Sequence, residues 1–319
     1  MTHPIPTTID ALNVAILMAT HNGTDYLQAQ LTSIARQSHT NWCLVVSDDN
    51  STDDTRAIVT AFAAQFSDGK VQLIDGPCTG EPASNFLCAL KSGTYPDHSY
   101  IAFCDQDDVW LPDRLERGLK ALTNDATDHP SLYGSRTIVT DANLTETGLS
   151  PNWRYAPSFQ NALVQNFAGG NTLLMCPLAG HLLRTQTPTD GIITAHDWWA
   201  YILVSGVGGH ILFDPVPTLY YRQHGRNVVG ANGGWRAKLW RIRAVFRGTF
   251  KTWTAMHISA LSQSTAALTP DAREALNTLQ RIHNARGITA VLMLRQSNLY
   301  RQTSTGHLAL YVAAFFGKL

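Results

Sequence analysis

The chain has 319 residues, of which 44% are hydrophobic and 15% charged, and its 24 Lys and Arg balance 24 Asp and Glu. That length buries a full core and that composition excludes wholesale disorder, leaving one large α/β domain with an appendage or two modest domains. The zero net charge conceals a polarity: residues 1–200 hold 21 acidic against 10 basic residues, and residues 201–319 hold 3 against 14. An acidic, cation-binding body beside a surface that meets anions fits this split.

VAILMA (14–19) reads as a buried strand, followed by a helix with Leu27, Leu31 and Ile34 on one face. WCLVVS (42–47) is the second strand. The run DDNSTDDTRAIVTAFAAQF then starts a helix, with Ser51 and Asp54 in capping-box spacing and Ile58, Phe62 and Phe66 on one side. VQLID (71–75) is a third strand and ASNFLCALKSG a short helix closed by glycine. YIAFC (100–104) is a fourth strand, ending at the acidic run DQDD (105–108); Pro112 opens the next helix, with Leu115, Leu119 and Leu122 inward. The later half is less regular. TLLMC (172–176), HILFD (210–214) and TLYYR (218–222) read as strands, 197–205 as a helix, and the text from residue 235 onward as helical and basic.

Strand, helix and strand at this spacing imply right-handed crossovers and a mainly parallel sheet, whose ligands bind beyond the carboxyl ends of the strands. Three polar clusters fall at such ends, THN (20–22), SDDNS (47–51) and DQDD, and they are expected to converge on one cleft. Carboxylates this crowded call for a cation or a proton to offset them. The plain alternative is a helix start, where negative charge is favoured anyway. No GxGxxG follows the first strand and no GxxxxGK[ST] occurs, which disfavours dinucleotide oxidoreductases and P-loop ATPases. Acidic strand ends point instead to phosphates reached through Mn²⁺ or Mg²⁺, which take oxygen ligands.

The five cysteines are odd in number, form no CxxC pair, and lie partly in apolar runs (Cys43, Cys104, Cys176), so reduced thiols in a cytosolic protein are expected. MTHPIPTTIDALN lacks the regions of a signal peptide. The longest late apolar run, LALYVAAFF (308–316), is far short of the roughly 20 residues that span a bilayer. The stretch 233–256 carries six basic residues and no acidic one, with Trp235, Leu239, Ile242 and Phe246 at helical spacing. It reads as an interfacial helix on anionic lipid, or as an ordinary amphipathic helix packed on the body. No nucleic-acid-binding module accompanies it.

ILMATHNGTDYLQAQLTSIARQSHTNWCLVVSDDNSTDDT followed by FCDQDDVWLPDRL closely resembles glycosyltransferase family 2. AGGNT, HDWW and YRQHGRNVVG extend the likeness to a bacterial, rhamnosyltransferase-like subgroup, over residues 12–232 in ordered blocks. The resemblance implies a GT-A fold, Rossmann-like with a mainly parallel central sheet, for a catalytic domain over 1–232, with 233–319 as a helical membrane-surface or acceptor-side element. It implies inverting transfer of a sugar, from dTDP-rhamnose or a UDP-hexose, to a hydroxyl of a growing, lipid-linked surface polysaccharide at the inner face of the cytoplasmic membrane.

By position, Asp105, Gln106 and Asp107 match the DxD motif, with Asp107 on the metal. Asp49 matches the nucleobase or ribose contact, Thr20 and Asn22 lie in the loop beside the base, and His21 replaces the commoner tyrosine. Asn85 falls where the donor is contacted, and Gly169 and Gly170 match the glycine-rich loop beside the sugar. Asp197 matches the general base and His224 the histidine that reaches metal or diphosphate. Trp198 and Trp199, flanking Asp197, offer indole faces suited to sugar and, packed around the carboxylate, would raise its pKa. Asp48 stands between nucleotide contact and an Asx turn, and the two glycines between donor approach and a tight turn. A sugar-phosphate nucleotidyltransferase would want a basic glycine-rich loop after the first strand, which MATHNGTDY lacks; a non-catalytic binding module would have lost Asp107 or Asp197, and both are present.

Overall fold

The computed structural model describes residues 8–125, 128–188, 193–225 and 248–319. Its strands are β1 (Val14–Thr20), β2 (Trp42–Asp48), β3 (Val71–Asp75), β4 (Tyr100–Cys104), β5 (Val109–Trp110), β6 (Ser131–Thr140), β7 (Glu146–Leu149), β8 (Leu174–Met175) and β9 (His210–Arg222). They form one sheet in the order β3-β2-β1-β4-β8-β6-β9-β5, with β7 beside β6. The first four pair in parallel, with Val14 opposite both Trp42 and Tyr100. Helices α1 (Leu27–Ala35), α2 (Thr55–Ala63) and α3 (Pro82–Ser92) make the crossovers between them. The antiparallel β8 then splices this half to a second one in which β6 and β9 run parallel.

Alternation along the strands gives the sheet two apolar faces. Val14, Ile16, Met18, Leu44 and Val46 point into one core with α1, α2 and α4 (Arg114–Asn124), where Leu115, Leu119 and Leu122 are buried as their spacing predicts. Ala15, Leu17, Val45, Ile101 and Phe103 point into the other, against α3, α5 (Phe159–Ala162), α6 (Pro177–Gln186) and α7 (His196–Gly206). The C-terminal helices α8 (Thr249–Gln263), α9 (Pro270–Asn284), α10 (Gly287–Gln296) and α11 (Ser304–Phe315) join this second core through Leu261, Leu279, Leu294 and Leu310. The helices beyond residue 248 and the sheet therefore share one apolar interior. The expected boundary at 232/233 and most of the basic stretch 233–256 lie outside the described residues.

Two local expectations are corrected, and the glycine that ends α3 is found as expected. The second helix starts at Thr55, because Ser51 is committed elsewhere: its hydroxyl donates to Asp48 Oδ1 at 2.6 Å and its amide to Oδ2 at 3.1 Å. Gly93 closes α3 with φ −68°, so its lack of a side chain serves close approach, since a Cβ would stand 2.6 Å from the Ala89 carbonyl oxygen. HILFD and TLYYR are one 13-residue strand, β9. All five cysteines are free thiols.

His257 on α8 is 2% exposed, packs its ring 4.5 Å from that of Trp198, and has a hydrogen-bond partner on neither nitrogen. Burial pushes it down to about 3. A histidine whose folded pKa is depressed contributes stability above its unfolded value near 6.5, and that stability is lost as pH falls from 6.5 towards 3. His257→Leu removes two desolvated polar atoms and the proton uptake together. It is expected to raise stability at neutral pH by about 1–3 kcal/mol and to flatten the acid side of the profile. Urea melts of both proteins at pH 7.5 and pH 5 check this; a variant that loses as much stability on acidification as the wild type overturns it.

Candidate active site

The loops after β1, β2 and β4 meet at one end of the sheet because those strands are parallel neighbours in register. Thr20 ends β1 and donates its hydroxyl to Asp48 Oδ1 at 2.9 Å. Asp48, 1% exposed, also takes the bonds from Ser51 and an ion pair from Arg56 at 3.3 Å, so its carboxylate is spent inside the protein. Asp49 accepts from the backbone amides of Gly80 at 2.7 Å and Thr79 at 3.3 Å, which holds the loop after β3 against the site. His21 Nδ1 lies 2.7 Å from the Asp49 carbonyl oxygen. Gln106 is a staple between loops: its Oε1 accepts from the His21 amide at 2.9 Å and its Nε2 donates to the His21 carbonyl at 3.0 Å. Asn22 adopts φ 48°, a left-handed conformation that asparagine tolerates, and its Oδ1 accepts from the Thr52 amide at 2.9 Å. Asn85 on α3 donates to the Thr20 carbonyl at 3.1 Å, while its own Oδ1 is buried without a protein partner.

The acidic run divides by role. Asp108 is fully buried and accepts from Asn171 Nδ2 and from the Arg222 amide at 3.1 Å; burial, followed by the charge of Asp107, pushes it up to about 8. Burial also lifts Asp105 well above the usual carboxylate range, followed by the charges of Asp108, Asp107 and Asp197. Asp107 remains the carboxylate with a polar partner in the cleft, its Oδ2 2.7 Å from His224 Nε2. Tyr26 packs its ring 4.7 Å from that of His224, and the Arg222 guanidinium lies 4.6 Å over the same tyrosine. Arg222 Nε donates to the Asp107 carbonyl at 2.8 Å and Nη1 to Ala142 at 2.6 Å. A second cation, Arg114, is buried behind the cluster, donating to the Asn171 carbonyl at 2.6 Å with its guanidinium 3.6 Å over Trp110.

Asp107 and His224 are the two residues here suited to a divalent cation. Among the described residues no group of three His, Cys, Asp or Glu is arranged to hold one. One carboxylate with phosphate oxygens and water is an ordinary shell for Mg²⁺ at phosphate sites, and the imidazole beside it adds a nitrogen donor.

Across the cleft, Asp197 lies in the first turn of α7, where a carboxylate is favoured by the helix dipole, and its Oδ1 accepts from the Trp198 amide at 2.7 Å. Gly170 brings the glycine loop onto this helix end: a Cβ there would stand 2.4 Å from His196 Nε2 and 3.5 Å from the Asp197 Cβ. Gly169 precedes it with its carbonyl accepting from the Thr172 amide at 2.9 Å. His196 is wedged between Phe86 and Phe103, with centroids at 4.0 and 4.5 Å, and burial pushes it down to about 4.

The indoles do not offer the expected sugar platform. Trp198 and Trp199 are 7% and 1% exposed, donate to the Ala162 carbonyl at 2.6 Å and to Thr187 Oγ1 at 3.1 Å, and belong to the core. Successive helical residues point about 100° apart, so adjacency to Asp197 does not give them its exposure. Four residues that sequence reasoning missed, Tyr26, Asn171, His196 and Arg222, complete the site. Arg222 carried a signal, as a cation two residues before His224.

The glycosyl transferase family 2 model matches residues 15–177. A dTDP-rhamnosyl transferase, RfbG of Shigella flexneri, is 28% identical over 245 residues, 72% of this chain and 78% of that one. The UDP-Glc:alpha-D-GlcNAc-diphosphoundecaprenol beta-1,3-glucosyltransferase WfgD of Escherichia coli is 29% identical over 143 residues, 45% of this chain and 53% of its own length. In fold, the chain is similar to the mannosyltransferase PcManGT of Pyrobaculum calidifontis, solved with GDP-Man and Mn²⁺. That TM-score is 0.53 at 19% identity, covering 94% of this chain and 85% of that one.

Proposed function

The chain belongs to glycosyl transferase family 2 and takes the GT-A fold, and on that premise we propose that it is a metal-dependent, inverting glycosyltransferase of surface polysaccharide synthesis. The observation that carries this reading is the Asp107–His224 pair just beyond the carboxyl end of β4, beside Asp105, with Asp197 at the start of α7 close enough to act on the charge of Asp105.

The donor is a nucleoside diphosphate sugar, dTDP-rhamnose or a UDP-hexose, in keeping with the relatives' donors. Its base and ribose lie in the loops of Thr20, His21, Asn22 and Asp49, with Asn85 and Gln106 bracing them. Gly169 and Gly170 admit the sugar beside Asp197. Asp197 takes the proton of the acceptor hydroxyl as that oxygen attacks the anomeric carbon, and the bond to the diphosphate breaks on the opposite face in a single displacement. No enzyme nucleophile is needed. Asp107 and His224 would hold Mn²⁺ or Mg²⁺, which when bound supplies positive charge against the departing diphosphate. The acceptor is a lipid-linked saccharide, as the name of WfgD states for that protein. Residues 1–232 form the catalytic domain and 233–319 the acceptor-side element, with the basic run 233–256 meeting anionic lipid at the inner face of the membrane.

A thermal-shift panel of dTDP, UDP, GDP and their sugars, with and without Mn²⁺ or Mg²⁺, tests it. Ligand at 100 times its Kd stabilises by about 2.7 kcal/mol, and one nucleotide is expected to reach this only with metal present. Absence of a metal-dependent shift for every nucleotide would make the acidic cluster structural and overturn the reading.

A further inference from the structure

Of the nine large hydrophobic side chains exposed among the described residues, five fall on the last two helices and the residue that caps the second: Ile288 (64%), Leu292 (48%), Leu308 (64%), Phe315 (48%) and Phe316 (54%). Singly exposed apolar residues need no explanation; a concentration on one helical pair does. Ile288 and Leu292 are one turn apart on α10, and Leu308 and Phe315 are two turns apart on α11, so each pair shares a helix face. The opposite faces, through Ala290, Leu294, Leu310, Ala313 and Ala314, are spent in the core. The chain after α11 folds back on the start of α10: a Cβ on Gly317 would stand 3.3 Å from that of Arg286, and His283 Nδ1 lies 2.9 Å from the Leu319 carbonyl. Phe315, Phe316 and Ile288 therefore lie at the same end of the pair.

The rim has one sign of charge. Residues 275–319 contain Arg281, Arg286, Arg295, Arg301 and Lys318 and no Asp or Glu. Arg286 and Arg295, at the two ends of α10, are exposed. Lys251 Nζ donates to the Gly317 carbonyl at 3.2 Å, and a Cβ on Gly248, the first described residue within the basic run, would stand 3.9 Å from Lys318 Cδ.

We propose that the outward face of α10 and α11 is a docking surface for an anionic lipid bilayer, with Ile288, Leu292, Leu308, Phe315 and Phe316 in the acyl boundary and Arg286, Arg295 and Lys318 on the headgroups. Exposed apolar residues on a segment that carries cations and no acidic side chain match such a surface on both counts. A two-fold contact through this face with a second copy would instead set one cationic patch against another. At 12 residues α11 is about 18 Å long, against a hydrocarbon core of about 30 Å. It lies on the membrane and does not cross it. The surface gives a place to the membrane-borne acceptor proposed above and in that sense rests on that reading.

Co-sedimentation of the full chain with phosphatidylcholine vesicles, with and without phosphatidylglycerol, tests it. The wild type is expected to bind only the anionic vesicles. The combined variant Ile288→Ser, Leu292→Ser, Leu308→Ser and Phe316→Ser, and separately Arg286→Gln with Arg295→Gln, are each expected to bind roughly tenfold more weakly or worse. The charge variant leaves the packing untouched and answers the question even where the apolar one fails to fold. Binding by both variants equal to wild type overturns the proposal. So does a wild type that ignores the vesicles and sediments as a dimer which the apolar variant dissolves. The acceptor reading fails separately: an enzyme that binds vesicles through this face but glycosylates only soluble saccharides keeps the surface and loses the lipid-linked acceptor.

Discussion

Asp197→Asn is expected to lower kcat for sugar transfer by about 10²–10⁴-fold, the range a positioned general base contributes. Metal-dependent nucleotide affinity should stay nearly unchanged. The substitution suits the question because asparagine keeps the size, the place in the first turn of α7 and an oxygen to accept from the Trp198 amide. What it removes is proton affinity. Loss of a base bears on turnover and loss of a donor contact on binding; kcat measured against KM separates the two. Loss of transfer and nucleotide affinity together would make Asp197 a structural or donor-binding residue, and unimpaired turnover would remove it from the mechanism.

The half of the sheet that carries the donor loops was legible because its strands are buried on both sides. VAILMA, WCLVVS and YIAFC are continuous apolar runs, and the helices between them alternate at the helical period. The second half hid for physical reasons. β6 reads SLYGSRTIVT, mixing glycine, serine and arginine into a strand paired along both edges. β9 was divided by Pro215 and Pro217, which break an ordinary strand; here the pairing register with β6 jumps from Ser135–Asp214 to Arg136–Pro217, and the prolines sit at that irregularity.

The site shows the same division. Residues at strand ends in the first half could be placed, because topology alone brings Thr20, Asp49 and Asp105 to one edge. Functions within those clusters could not. Asp49 and Gln106 look like ligand contacts in the sequence and are seen holding loops; Asp48 is enclosed by Thr20, Ser51 and Arg56. Arg222 reaches Asp108 across 114 positions, and Tyr26 meets His224 only after the chain has closed. No local period records such pairings. The tertiary fold assigns them.

Asp107→Asn should erase the metal dependence of nucleotide binding. Wild type with its nucleotide at 100 times Kd in Mn²⁺ gains about 2.7 kcal/mol; the variant is expected to show the same small shift with or without the ion, and transfer falls with it. Four carboxyls gather here, yet they are not equivalent. Asp108 is enclosed by Asn171 and Arg222, with its oxygens taken by their N–H groups, and Asp105 is desolvated by burial. Asp197 stands in α7. Asp107 is held against His224 at 2.7 Å with its side chain 18% exposed, the arrangement of an anion able to face a ligand. Asparagine preserves the contact to His224 and deletes the charge, so folding should survive and cation affinity should not. His224→Gln is the companion: as the second donor it should weaken the metal-dependent shift without abolishing it, since Asp107 remains. A metal-dependent shift intact in Asp107→Asn would move the cation to Asp105 or away from the cluster altogether, and the division of labour among the four carboxyls would have to be redrawn.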